Sequence, residues 1–199
     1  MKTTHWPFTL PKLEARLRLI TPFVHRRSSP LARFRLRELD GATVDIRTDG
    51  APEIWQEIAP QSYWGRADLN FVMCSGFKVP DGWHADRIAL SLPLGVLGDI
   101  FNHPEALVEV DGNAIGSADR YHHTIALDPE LADGRAHQLS LHGWTGLTGW
   151  QPKPQCKAKL FMGDPQLVER DPDALAFCRT AAAALDSLHQ LDPESRIYA

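Results

Sequence analysis

Cysteine is scarce in this sequence of 199 residues. Its three cysteines, Cys74, Cys156 and Cys178, are widely spaced and form no C-x-x-C pair. An odd number without a redox or zinc spacing indicates reduced side chains that pack as small hydrophobic groups. We therefore expect neither a disulfide framework nor a zinc site built on cysteine.

The sequence also lacks a surplus of positive charge and a long apolar run. Its formal net charge is −4, so it offers no basic field for phosphates, and we do not expect nucleic acid as a partner. No segment approaches the roughly 20 apolar residues of a transmembrane helix, and the N-terminus has no apolar run of signal-peptide length. We expect a cytoplasmic protein with no membrane partner.

Several motifs of common catalytic sites are missing as well. The sequence has no G-x-S-x-G elbow, no standard Gly-rich phosphate loop and no His-x-His pair. Paired carboxylates for glycosidic chemistry cannot be recognised by spacing, because they meet only in the fold. We therefore predict no catalytic residue and no metal ligand in this chain.

The middle of the sequence has the texture of a β protein. Between about residues 33 and 164, short runs at strand period alternate with turn residues such as the "DGN" that begins at Asp111. Predicted strands cover 33–38, 69–79, 87–94, 106–110, 121–127, 138–142 and 157–162. Because no helical pattern is interleaved, an antiparallel sandwich or barrel is favoured over a parallel sheet.

Helical patterns flank this region. The first begins near Thr9 and is expected to kink or end at Pro22. The second follows Asp171 and Pro172, a good pair for an N-cap and a first helical residue. Its apolar stripe comprises Leu175, Cys178, Ala182, Leu185 and Leu188. We divide the chain into an N-terminal helical extension (1–30), a β-sandwich domain (31–165) and a C-terminal helix (166–199).

The stretch "DRYHHTIAL" carries two adjacent histidines, His122 and His123. Consecutive side chains of a strand point to opposite faces, so the pair cannot bind one ion without a bulge. We predict that His123 faces the core, on the face shared by Tyr121, Ile125 and Leu127. His122 is predicted to be exposed beside Asp119 and Arg120, at a loop end where polar groups often bind ligands.

Tryptophan is abundant, with six residues: Trp6, Trp55, Trp64, Trp83, Trp144 and Trp150. An indole face can stack on the C–H face of a sugar ring, so exposed tryptophans in sandwich loops suggest contact with carbohydrate. Core or interface packing explains them equally well. For Trp6 and Trp150 we favour an interface.

Three segments, 9–41, 62–83 and 106–146, resemble in order and spacing the N-terminal region of family 38 glycoside hydrolases, the α-mannosidases of the bacterial and cytosolic type. The best-matching motifs are W-G-x-x-D at Trp64, Gly65 and Asp68, V-D-G at 110–112, and D-R-x-H at Asp119, Arg120 and His122. The chain departs from the family at 72–74, where Val, Met and Cys replace an aromatic pair and a basic residue.

This resemblance implies a galactose-binding-like sandwich, or jelly roll, that precedes a catalytic domain. The parent reaction would be hydrolysis of terminal α-mannosides through a glycosyl-aspartate, with a divalent ion, usually zinc, gripping sugar hydroxyls. The family's H-x-H-x-D-like zinc motif does not occur in this sequence. We therefore expect a non-catalytic piece of such an enzyme, with no cofactor of its own.

The partners that the resemblance implies are the catalytic domain and mannose-containing carbohydrate. Residues expected to contact that domain or the rim of its substrate cleft are Asp119, Arg120, His122, Trp64 and Asp68. Two alternatives remain open: a stand-alone carbohydrate-binding module, and a small metalloenzyme of the cupin type. The latter would need a His-x-His pair, although Glu130 does follow His122 at eight residues.

Overall fold

The computed structural model describes residues 9–41, 55–95, 104–146 and 160–191. The chain divides into two compact units, one of Met1–Arg27 with Arg170–Ala199 and the other of Ser28–Glu169. Most of the two predicted terminal segments therefore belongs to the first unit, whereas residues 28–30 and 166–169 belong to the second. The strands at 25–30 and 166–170 correct the prediction that these stretches belong to helical segments. Trp6, Trp150, Cys156 and positions 157–159 of the last predicted strand lie outside the described residues.

Antiparallel strands dominate the structure and helices lie near both ends of the sequence, which confirms the predicted mainly β class with terminal helices. The described strands are β1 (His25–Pro30), β2 (Phe34–Leu39), β3 (Gln56–Ile58), β4 (Ser62–Trp64), β5 (Asn70–Lys78), β6 (Ile88–Ser91), β7 (Glu105–Val110), β8 (Asn113–Ala118), β9 (Thr124–Ala126), β10 (Ala136–Trp144), β11 (Leu160–Met162) and β12 (Gln166–Arg170). Short 3₁₀ turns cover Thr21–Val24, Ala85–Arg87 and Pro129–Leu131.

The strands form two larger sheets and one small one. The six-stranded sheet has the order β3-β2-β5-β10-β7-β8, the four-stranded sheet has the order β1-β12-β6-β9, and β4 pairs with β11. Phe71 and Leu139 of the larger sheet share one buried cluster with Leu90 and Leu167 of the smaller sheet. Because apolar residues of both sheets fill this common core, the architecture is a β-sandwich.

Strand β5 is buried on both faces, which explains its nearly continuous apolar sequence. Phe71 and Met73 face the main core, whereas Val72 and Cys74 form a second cluster with Leu39. Burial raises the pKa of the Cys74 thiol, so the side chain stays neutral. Cys74 and Cys178 are both free and buried, as expected for cysteines that pack as hydrophobic groups.

The helical unit contains α1 (Thr9–Ile20) and α2 (Pro172–Gln190). Asp171 caps α2 as predicted, since its carboxylate accepts hydrogen bonds from the backbone N–H groups of residues 173 and 174. Cys178 and Leu185 of the predicted stripe are buried. The side chain of His189 in α2 lies 2.6 Å from a carboxylate oxygen of Glu14 in α1. No helix within the described ranges is long and apolar enough to cross a membrane.

Candidate functional site

Strand register brings the predicted site segments to one end of the six-stranded sheet. Trp144 of β10 lies opposite Asn70 of β5 and opposite Glu105 of β7, and Ala118 of β8 follows at the same level. Segments 65–69, 119–123 and 145–146 therefore leave the same end, which we name the Trp144 end. With strands about 4.8 Å apart, β5 and β8 are separated by roughly 14 Å.

The Asp119 carboxylate organises the loop between β8 and β9. One oxygen, Oδ1, accepts hydrogen bonds from the backbone N–H groups of Tyr121 and His122, each at 2.6 Å. The other, Oδ2, lies 2.9 Å from Nδ1 of the His122 ring. The hydrogen bond to His122, together with the two backbone N–H groups, lowers the pKa of Asp119. An ionised carboxylate thus holds both the backbone and the imidazole.

Residues 121 to 123 of this loop are exposed to solvent. The His122 side chain is 81% exposed, and Tyr121 is 71% exposed. The Arg120 guanidinium carbon lies 5.7 Å from the centre of the Tyr121 ring, within the range of a cation–π contact. Because Asp119 holds Nδ1, Nε2 on the far side of the His122 ring is the nitrogen that a ligand can reach.

The predicted inward orientation of Tyr121 and His123 is wrong. Both residues are exposed, and β9 begins only at Thr124, so the strand alternation holds only for buried Ile125 and Leu127. The hydrogen bonds of Asp119 stabilise a non-strand conformation, so residues 119–123 are not part of a strand. His123 contributes its backbone carbonyl, which accepts a hydrogen bond of 2.7 Å from the N–H of Leu92.

Trp64 lies in the core, where its side chain is out of reach of a ligand outside the domain. It is 1% exposed, and its indole N–H donates a 2.9 Å hydrogen bond to the carbonyl of Leu94. Its ring meets Phe71 edge to face, with centroids 5.1 Å apart. The W-G-x-x-D motif therefore starts with a packing residue rather than a contact at the cleft rim.

Asp68, at the end of this motif, locks two loops together. Its backbone has a left-handed φ of 54°, and its Oδ1 accepts a 3.0 Å hydrogen bond from the indole N–H of Trp144. Beside it, the Thr145 hydroxyl donates to the carbonyl of Arg66 at 2.7 Å and accepts from the N–H of Leu69 at 3.0 Å. Asp68 remains exposed, so it can bind an external group while it holds Trp144.

Sequence reasoning missed Trp144 and Thr145 as partners of this motif. They lie 76 residues from Asp68 and Leu69, respectively. Their position after a predicted strand is the only signal that the sequence offers, and it does not identify the loop they meet.

Another exposed aromatic side chain belongs to β4. Tyr63 is 66% exposed and meets Phe161 edge to face at 5.1 Å. Segment 92–94 connects this region to the Asp119 loop. The N–H of Leu92 donates to the carbonyl of His123, and the carbonyl of Pro93 accepts from the N–H of Gly163. The carbonyl of residue 94 accepts from the indole N–H of Trp64.

The described residues contain no group of three or more His, Cys, Asp or Glu side chains arranged to hold a metal ion. His122 and Asp119 bind each other, and His123 shares only a backbone contact with segment 92–94. Within this part of the chain, the Asp119 loop provides exposed polar groups that can contact a ligand.

No protein-family model matches the chain, and no curated protein sequence matches it.

Proposed function

We propose that this chain is the non-catalytic N-terminal β-sandwich domain of a family 38 α-mannosidase, and that its Trp144 end supports the catalytic domain and the rim of the substrate cleft. The proposal rests on the motif resemblance and on one structural observation. The three residues of the D-R-x-H motif lie on a single loop, in which Asp119 bonds the backbone N–H groups of residues 121 and 122 and the exposed His122 ring.

The hydrogen bonds of Asp119 order residues that do not belong to the buried core clusters. His122 is 81% exposed, and Asp119 makes three hydrogen bonds that order its ring and the backbone around it. Ordering a loop before binding lowers the entropic cost of the contact that it makes. A preorganised polar surface is therefore expected to have a partner.

The chemistry of the loop suits sugar hydroxyls and polar protein groups. Nε2 of His122 can exchange a hydrogen bond with a hydroxyl, the Arg120 guanidinium can donate several, and the Tyr121 ring offers a face for stacking. These groups bind and orient. In the parent enzyme that the resemblance implies, the divalent ion would bind to residues of the catalytic domain.

Kinetics of the α-mannosidase polypeptide that contains this domain test the proposal. Replacing His122 with Ala removes one hydrogen bond, worth about 0.5–1.5 kcal/mol, so KM for an aryl α-mannoside is expected to rise by roughly 2- to 12-fold. His84→Ala, at another exposed histidine, serves as the matched control. Unchanged kinetics together with unchanged domain assembly in His122→Ala would remove the proposed role.

Two further observations bear on the parent identity. The purified chain alone is expected to show no mannoside hydrolysis with or without added zinc, and turnover by it would refute a non-catalytic role. The coding sequence downstream of Ala199 is expected to contain an H-x-H-x-D-like motif. A stop codon or an unrelated domain in that position would contradict the assignment.

A stand-alone carbohydrate-binding module is the second candidate, favoured by the exposed rings of Tyr63 and of Tyr121, which precedes His122. Titration of mannose and mannobiose into the purified chain separates the two proposals. A module predicts saturable chemical-shift changes at millimolar sugar that are lost in Tyr121→Ala. A flat titration would eliminate the module and leave the supporting role intact.

A further inference from the structure

The opposite end of the six-stranded sheet contains a buried histidine between two carboxylates. His137 lies near the start of β10, and its side chain is 2% exposed. Its Nδ1 is 2.7 Å from Oδ2 of Asp111, and its Nε2 is 3.1 Å from Oδ1 of Asp133. We name these three residues the His137 cluster.

Each carboxylate also accepts a hydrogen bond from a backbone N–H group. Asp111 sits in the turn between β7 and β8, where it has a left-handed φ of 51°, and its Oδ1 accepts a 2.8 Å hydrogen bond from the N–H of Gln138. Asp133 lies in the loop before β10 and accepts from the N–H of Arg135 at 2.8 Å. His137 therefore contacts both the turn that contains Asp111 and the loop that contains Asp133.

The hydrogen-bond inventory determines the charge of the ring. An ionised carboxylate only accepts hydrogen bonds, and a neutral imidazole has a single N–H to donate. If His137 were neutral, one ring nitrogen would turn its lone pair toward a carboxylate oxygen in a buried setting, which is costly. The imidazolium form, with two N–H groups, satisfies both contacts.

The charges around the ring agree with this assignment. Burial on its own lowers the pKa of His137, but the hydrogen bonds and charges of Asp111 and Asp133 outweigh it, and the net pKa is raised. The backbone and side chain of Arg135 bring the pKa of Asp133 to about 2. The hydrogen bond from His137 lowers the pKa of Asp111.

In the described part of the chain, a cation and an aromatic ring also contact the cluster. Arg135 pairs with Asp133 at 2.5 Å and also acts on Asp111 electrostatically. Phe77 of β5 lies against the imidazole, with ring centroids 5.4 Å apart. With His137 protonated, two carboxylates balance an imidazolium and a guanidinium. Loss of the proton leaves a net negative charge beside a buried ring.

We propose that protonated His137 is a pH-dependent latch that fastens the Asp111 turn and the Asp133 loop to the start of β10. The pKa of a histidine in the unfolded chain is about 6.5, and a group whose pKa is higher in the folded state stabilises the fold fully below that unfolded value. This stabilisation is lost as the pH rises through the pKa of the folded state. The carboxylates act in the opposite sense and lose their contribution only as pH falls below about 4. The latch is therefore closed in mildly acidic solution and opens on the alkaline side.

Opening is confined to one end of the sheet. Trp144 lies seven residues further along β10, roughly 24 Å away at about 3.4 Å per residue. The inference is therefore independent of the function proposed for the Trp144 end. It would make the two ends of one sandwich respond differently to pH.

Nitrogen-15 NMR of the histidine rings in the whole chain tests the latch directly. At about pH 5.5, below the ordinary histidine pKa, both ring N–H protons of His137 are expected to be visible and slow to exchange. As pH rises, one proton is lost, and the protection factor of the Gln138 amide falls at least tenfold relative to that of Thr145. A singly protonated His137 ring at the lower pH, or Gln138 protection that does not change with pH, would overturn the proposal.

Asp133→Asn provides a second test that leaves the Asp111 contact in place. Removing one carboxylate is expected to lower the pH midpoint of Gln138 protection loss by at least about half a unit, a differential interaction of about 0.7 kcal/mol. His142→Gln, in the same strand but on the opposite face, is the matched control and should not move the midpoint. An unchanged midpoint in Asp133→Asn would contradict the latch.

Discussion

Replacing Trp64 with Phe tests whether this residue serves the core or the surface. The change removes the N–H that bonds the Leu94 carbonyl and leaves that buried oxygen without its partner, at a cost of about 1–3 kcal/mol. The smaller ring also leaves a gap beside Phe71, and each methyl-sized gap costs about 1 kcal/mol. The expected loss of unfolding free energy is therefore about 2–4 kcal/mol.

Urea unfolding followed by far-UV circular dichroism measures this loss. With a slope of about 2 kcal/mol per molar urea, the midpoint should fall by about 1–2 M. The matched control is Tyr63→Phe at the neighbouring residue, which is 66% exposed and should change stability by less than about 0.5 kcal/mol. A Trp64→Phe protein as stable as the parent but weaker in binding a sugar or the catalytic domain would refute the core assignment.

Three further predictions concern the backbone and its caps. Gly143→Ala would place a Cβ 2.3 Å from a backbone carbonyl oxygen of β7. Urea unfolding should therefore show that the free energy of unfolding falls by about 3 kcal/mol. The control is Gly116→Ala, where the nearest atom to the added Cβ is 3.4 Å away, so a smaller loss of stability is expected. Asp171→Ala removes the N-cap of α2 and should lower the free energy of unfolding by about 1 kcal/mol, measured by thermal unfolding. Ser187→Ala, at an exposed residue of the same helix, is the control. Equal melting curves for Asp171→Ala and the parent protein would argue against the cap. Because the pKa of Asp119 is lowered, amide protection in its loop should persist above about pH 4 and fall below it, while Asp119→Asn should show no such acid transition.

Local signals in the sequence correctly predicted much of the fold. The Asp171 cap, the stripe through Cys178 and Leu185, and the apolar run of β5 depend on neighbours within a few residues, so their spacing is visible without tertiary contacts. The Asp111–Gly112 turn was recognisable for the same reason, since both residues readily adopt the positive φ that the turn requires.

Strands without a clear apolar alternation were missed. β8, with the sequence NAIGSA, has small and polar residues and owes its conformation to pairing with β7 across the Asp111 turn. β4 is three residues long and pairs with β11 about a hundred residues away. Such strands exist because a partner offers backbone hydrogen bonds, and the partner cannot be read from the local sequence.

For the candidate site, the sequence determined which residue types were present and which were adjacent. It indicated that His122 is exposed beside Asp119 at a loop end, and it excluded a His-x-His pair. Tertiary structure alone decided that Trp64 turns into the core, that His123 faces solvent, and that His137 meets a carboxylate 26 residues away. Side-chain burial and charge depend on which strands lie beside each other, and in an antiparallel sandwich those neighbours come from distant parts of the chain.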